Sequence, residues 1–161
     1  MELCNEIVIR GLLERHGFRF SRSMGQNFLI DPSIPAAIAE ASGADEGCGV
    51  LEIGPGIGPL TAELAKRAGK VVSIELDRAL LPVLAETVGD LPNVEIVPGD
   101  ALRLDLEGLI AEKFQGLTPM VCANLPYNIT TPVLTKLAGI PSLTALTVLI
   151  QKEAAQRFTA P

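Results

Sequence analysis

From Gly49 onward, short unbroken apolar runs rich in Val, Ile and Leu alternate with stretches in which apolar residues recur at three- and four-residue spacing. A run that is apolar at every position suits a strand buried on both faces, and its alternation with helical spacing is the pattern of a parallel sheet flanked by helices. The runs predict strands at about 49–54, 71–76, 94–98, 119–123 and 144–150. Between them, Leu60, Leu64, Ala65 and Ala68 predict a helix over Thr61–Ala68, and Leu80, Leu81, Leu84 and Val88 one over Arg78–Val88. Ahead of the first strand, Asp31-Pro32 supplies an N-cap and a proline at the first helical position for a helix reaching about Ala41, with Gly43 at its stop. The fold class is therefore α/β. Residues 31–161 form the Rossmann-like domain, and residues 1–30 precede it as an arm. A helical pattern over Gln151–Phe158 closes the sequence with no strand after it. That reads as a fragment truncated after its fifth strand, whose bare outer edge is expected to promote self-association.

Composition bounds this picture without changing it. With 161 residues, 48% of them hydrophobic, the chain can bury a substantial core. No apolar run of membrane-spanning length and no leader pattern is present, so the expectation is a cytoplasmic protein with no membrane partner. Cys4, Cys48 and Cys122 are odd in number and lack CxxC spacing, so neither a disulfide framework nor a metal site is expected. A net charge of −6 argues against nucleic-acid binding over the whole surface. The charge is uneven, however. Arg15-His16-Gly17-Phe18-Arg19-Phe20-Ser21-Arg22 holds three Arg, one His, two Phe and no acid. Such interleaving can follow a phosphate backbone and stack on bases, or it can be an ordinary solvated arm.

The first strand delivers Glu52-Ile53-Gly54-Pro55-Gly56-Ile57-Gly58 to the carboxyl edge of the sheet, where ligands of open α/β sheets collect. A dinucleotide fingerprint wants its third glycine three residues after the second, and Pro59 occupies that place. Glycine at every second position resembles instead the turn of methyltransferases that bind S-adenosylmethionine, a cofactor with no phosphate to cradle. Glu75, ending the second strand, is placed to accept hydrogen bonds from two ribose hydroxyls. Asp100, ending the third, can accept from an adenine amino group while neighbouring apolar groups flank the ring. Taken alone, Asp100 reads better as a loop or capping aspartate, and the glycines leave open, as the lesser alternative, a tight turn of another doubly wound protein.

Asn124-Leu125-Pro126-Tyr127 follows the fourth strand and lands on the same edge. By itself it reads as a plain β-turn. Beside the glycine turn it reads as a grip for an amino group on a flat base. The lone pair of such a nitrogen is delocalised into the ring. Hydrogen bonds accepted from its N–H groups, by the Asn124 side-chain oxygen and the Leu125 carbonyl, draw it toward tetrahedral geometry. Pro126 presents no competing donor, and Tyr127 can stack on the base.

These residues resemble a known family, the ribosomal RNA adenine dimethyltransferases of KsgA type, and more distantly the macrolide-resistance RNA methyltransferases. The likeness runs through Gly25-Gln26-Asn27-Phe28-Leu29, the glycine turn, Ile74-Glu75-Leu76-Asp77, Gly99-Asp100-Ala101, Asn124-Leu125-Pro126-Tyr127-Asn128-Ile129 and Gln151-Lys152-Glu153-Ala154-Ala155-Gln156-Arg157. The resemblance implies a class I S-adenosylmethionine-dependent methyltransferase fold. It also implies dimethylation of two adjacent adenosines in the 3′-terminal hairpin of small-subunit ribosomal RNA, with the small-subunit precursor as partner. On that resemblance Asn27, Leu29, Gly54, Glu75, Asp100 and Asn124 are cofactor contacts, and Asn124, Leu125 and Tyr127 face the target base. From the residues alone, Phe28 and Leu29 read as a core anchor, and the segment after Gln151 as an amphipathic surface helix. Three alternatives stay open: an amino methyltransferase acting on another RNA, DNA or protein; an assembly factor that binds without catalysis; and a nicotinamide-dependent oxidoreductase. Pro59 and the lack of a hydride-relay residue disfavour the last.

Overall fold

The computed structural model describes residues 2–18, 31–125 and 130–149. Five strands, β1 (Cys48–Ile53), β2 (Lys70–Glu75), β3 (Val94–Pro98), β4 (Thr118–Asn124) and β5 (Leu146–Leu149), form one sheet in the order β3-β2-β1-β4-β5. All four pairings are parallel, and each strand lies within two residues of its predicted place. The central β1 is buried along its whole length and pairs Val50 with Val71 on one side and with Met120 on the other.

Around the sheet run α1 (Glu6–Arg15), α2 (Ser33–Ala41), α3 (Pro59–Ala65), a 3₁₀ turn (Arg78–Leu80), α4 (Leu81–Thr87), α5 (Leu106–Lys113) and α6 (Thr130–Ala138). Side chains alternate across each strand, so the two sheet faces carry separate cores. Leu51, Ile53, Val72, Ile74, Val121 and Ala123 pack with Leu106, Ile110 and Phe114 of the α5 region and with Val133 and Leu137 of α6. On the other face Val50, Val71, Met120 and Cys122 pack with Ile38 and Ala39 of α2 and with Leu60 and Leu64 of α3. No helix among the described residues is long and apolar enough to cross a membrane.

Three helix details differ from the pattern reading, each for a local reason. The helix predicted from Thr61 begins at Pro59, because Gly58 in the left-handed region (φ 104°) turns the chain and proline is tolerated where no N–H is needed. The segment predicted as one helix from Arg78 starts as a 3₁₀ turn capped by the Asp77 side chain, and Pro82 opens the α-helix that follows. Glu6–Arg15, within the stretch read as an arm, is a helix. The Asn5 side chain accepts from the amides of Ile7 and Val8, and Ile9, Leu12 and Leu13 are fully buried against Ile57, Leu80 and Val83.

The described start of the basic-aromatic stretch takes part in this packing. Arg15 and His16 both meet the Glu86 carboxylate at 2.5 Å, and Phe18 packs against the cluster around α1. Arg15, still half exposed, and His16 thus meet α4 through Glu86; Arg19–Arg22 lies outside the described residues.

The Phe114 ring lies over Gly49 so closely that a Cβ there would sit 2.4 Å from it. Gly49→Ala is expected to lower unfolding free energy by about 1–3 kcal/mol through overpacking. Urea denaturation checks this, and the loss should shrink in a Phe114→Leu background.

Candidate functional site

In the order β3-β2-β1-β4-β5 the chain winds outward from β1 in one direction, then returns to place β4 on β1's other side. The carboxyl ends of β1 and β4 therefore flank the crevice where strand order reverses. Gly54 leaves β1 at φ 73°, and Gly56 and Gly58 follow at 61° and 104°, conformations that a side chain would strain. A Cβ at Gly54 would lie 4.0 Å from the backbone oxygen of Asn124, so the glycine turn and the end of β4 stand side by side.

Glu75, the last residue of β2, folds back onto this turn. Its carboxylate accepts from the Gly56 amide at 3.3 Å and from the Asp77 amide at 2.9 Å. Burial pushes its carboxyl above the ordinary range, while the hydrogen bonds from Asp77 and Gly56 pull it down. Asp100 sits beyond β3, which is tied to β2 by the Gly99 amide donating to the Glu75 carbonyl at 2.9 Å. One Asp100 oxygen accepts from the Leu102 amide at 2.9 Å, and the Arg103 guanidinium lies 3.7 Å from the other. Beside these two acids are Leu76, 64% exposed, and Leu102, 38% exposed. Apolar side chains exposed next to strand-end carboxylates offer contact surface for an apolar group of a ligand.

The structure thus brings Gly54, Glu75, Asp100 and Asn124 to one rim. Leu125 buries its side chain in the core and donates its amide to the Leu149 carbonyl at 3.1 Å. Asn27, Leu29 and Tyr127 lie outside the described residues. A cavity of about 600 Å³ opens elsewhere, between residues 2–5, the start of α2 and α3. None of Gly54, Glu75, Asp100 or Asn124 lines it.

The sequence reading left two features unnamed. One is the exposed pair Leu76 and Leu102, whose signal is an apolar residue placed one or two positions after a strand-end acid. The other is the support beneath the turn. Glu52, 1% exposed, accepts from the Thr61 hydroxyl of α3 at 2.5 Å and from the Ser73 hydroxyl of β2 at 2.7 Å. One carboxylate thereby ties the strand entering the glycine turn to the helix leaving it and to the neighbouring strand. Burial raises its pKa to about 7 against the pull of the two hydroxyls. The buried Cys122 thiol is pushed up to about 12 by burial and by the charge of Glu52, so it is an inert core group.

A parallel sheet with this glycine turn and these strand-end acids is the Rossmann-like arrangement of class I methyltransferases. Solved structures agree. The chain aligns with the 23S rRNA methyltransferase ErmE at a TM-score of 0.66 and 32% identity, over 78% of this chain and 48% of that one. A dimethyladenosine transferase from Plasmodium falciparum aligns at 0.65 and 28% identity, over 81% and 46%.

Within that class the family can be stated. The model of the family described as ribosomal RNA adenine dimethylase matches residues 17–161, and the chain belongs to it. Proteins named ribosomal RNA small subunit methyltransferase A are 47% identical in Alkaliphilus oremlandii over 92% of this chain and 52% of that protein, and 51% identical in Shouchella clausii over 92% and 51%. The chain spans about half the length of these relatives.

Glu52 also generates a prediction about stability. Its folded pKa, about 7 against an ordinary 4.5, means that its contribution is complete below about pH 4.5 and is lost as pH rises through 7. Glu52→Gln, with an amide oxygen in place of the accepting carboxylate oxygen, is expected to match the native chain near pH 4.5. By pH 8 it should exceed it by up to about 3 kcal/mol. Urea unfolding across this range checks the sign; parallel pH profiles would refute it.

Proposed function

We propose that this chain forms the cofactor-binding part of an enzyme that dimethylates N6 of two adjacent adenosines in the 3′-terminal hairpin of small-subunit ribosomal RNA during ribosome assembly. The observation that carries the proposal is the apposition of Gly54 and Asn124. It sets Gly54, which carries no side chain, beside the strand end that carries the Asn124 amide. The relatives at 47–51% identity, small-subunit methyltransferases by name, support a small-subunit target over the 23S rRNA of ErmE.

The residues present fit S-adenosylmethionine. Gly54 and Gly56, both in the left-handed region, present no side chain to an approaching ligand, the acids Glu75 and Asp100 stand at neighbouring strand ends, and the exposed Leu76 and Leu102 lie next to them in sequence. When bound, the cofactor supplies an electrophilic methyl group on a sulfonium. In this reading Glu75 holds the ribose hydroxyls, Asp100 accepts from the adenine amino group, and Leu76 and Leu102 flank the ring. Asn27 and Leu29 complete the contacts on the strength of the family resemblance. Asn124 serves both partners, reaching the cofactor and accepting with the Leu125 carbonyl from the target amino group. Its nitrogen is thereby turned toward the methyl, while Tyr127 stacks on the extruded base. The bound cofactor would supply the methyl with a neutral thioether as leaving group, and the proton displaced from the methylated nitrogen would pass to water, so no strong general base is required and the residues named contribute orientation and charge relief.

Calorimetric titration tests this directly. The chain is expected to bind S-adenosylmethionine and not a nicotinamide dinucleotide, and Glu75→Ala to weaken binding by roughly 1.5–3 kcal/mol, more than tenfold. Equal affinity in the variant, or preference for the dinucleotide, would contradict the proposal.

A further inference from the structure

The turn that carries Asp100 is gripped from outside by the Lys136 side chain. Within the turn, the Asp100 carbonyl accepts from the amides of Arg103 and Leu104, both at 2.9 Å, while the Asp100 side chain takes the Leu102 amide. The carbonyls of Ala101 and Leu104 are taken by the Lys136 ammonium, at 2.7 Å and 2.6 Å. Lys136 lies on α6, the helix that follows the Asn124 motif in sequence. That helix is anchored by Val133 and Leu137, which pack in the same core as Ala101, Leu104 and Leu106. A cation bound to two carbonyls at these distances makes charge-assisted hydrogen bonds, about twice as strong as neutral ones. Gly99, at φ 152°, makes the entry to the turn depend on glycine, and a Cβ there would lie 3.1 Å from the Leu104 side chain. The turn is therefore fixed at its entry by backbone geometry and along its length by Lys136.

We propose that Lys136 is a positioning residue. By gripping the Ala101–Leu104 backbone from α6, it sets the angle at which Asp100 meets the adenine amino group of the cofactor. It also couples that contact to the helix behind the target-base motif. This rests on the cofactor reading above. A lysine that merely stabilised the fold would change melting temperature but not which purine the site prefers.

The test compares the calorimetric affinity of the chain for S-adenosylhomocysteine with that for its 6-deamino purine analogue, which lacks the amino group. The native chain is expected to prefer the adenine form by at least about tenfold, the value of one hydrogen bond to a charged acceptor. Lys136→Met, which keeps the aliphatic stem, should reduce this preference below about threefold. Lys136→Arg, with charge and two donors retained, should restore much of it. If the methionine variant does not fold, Lys136→Gln, whose single amide reaches one carbonyl, should show an intermediate preference. A preference unchanged in the folded Met or Gln variant overturns the proposal even if melting temperature falls. Native chain that binds both ligands equally removes the Asp100 contact and the proposal with it. Native chain that binds neither contradicts the cofactor reading itself.

Discussion

Everything at the functional rim depends on β1 being hydrogen-bonded in parallel to β2 on one side and β4 on the other. Parallel pairing aligns carboxyl ends, so residues distant in sequence leave the sheet at the same level. Gly54 and Asn124 become neighbours by this constraint alone. The same alignment sets Glu75 against Gly56 and ties the start of the Asp100 turn to the end of β2. No local motif could produce these contacts; the sheet register does.

The rim is held by polar groups that the apolar core surrounds. Glu52 joins β1, β2 and α3 through Thr61 and Ser73, and it sits on the sheet face that also carries Val50 and Cys122. A buried carboxylate is costly to desolvate, and two hydroxyl donors offset that cost only in part, as its raised pKa shows. Retaining it directly beneath the glycine turn fits a site where shape matters more than stability. Glu75 follows the same logic one strand over, one carboxylate oxygen spent on the Gly56 amide of the turn and the other on the Asp77 amide.

Much of this was legible in the sequence, for physical reasons that differ by element. The strands were readable because burial on both faces demands unbroken apolar runs such as Val71-Val72-Ser73-Ile74. The shared rim of Gly54, Glu75, Asp100 and Asn124 was readable because strand ends can be counted along the chain. The helix starts at Pro59 and Leu81 were displaced because tertiary turns, not apolar spacing, decide where a helix begins. Helix α1 escaped because its pattern, Ile9, Leu12 and Leu13, is short and set among charges. Only its docking surface of Ile57, Leu80 and Val83 reveals it as core. The partners of Glu52 and the carbonyls held by Lys136 are contacts between elements, which no single-strand pattern encodes.

The central claim is that the cofactor lies across the carboxyl ends of β1, β2, β3 and β4. Backbone amide shifts followed by NMR during titration with S-adenosylhomocysteine locate the ligand most directly. The account predicts the largest changes at Gly54, Gly56, Gly58, Leu76, Asp77, Leu102 and Asn124. Changes confined instead to the cavity lined by Cys4, Asn5, Ala62, Glu63 and Lys66 would contradict it.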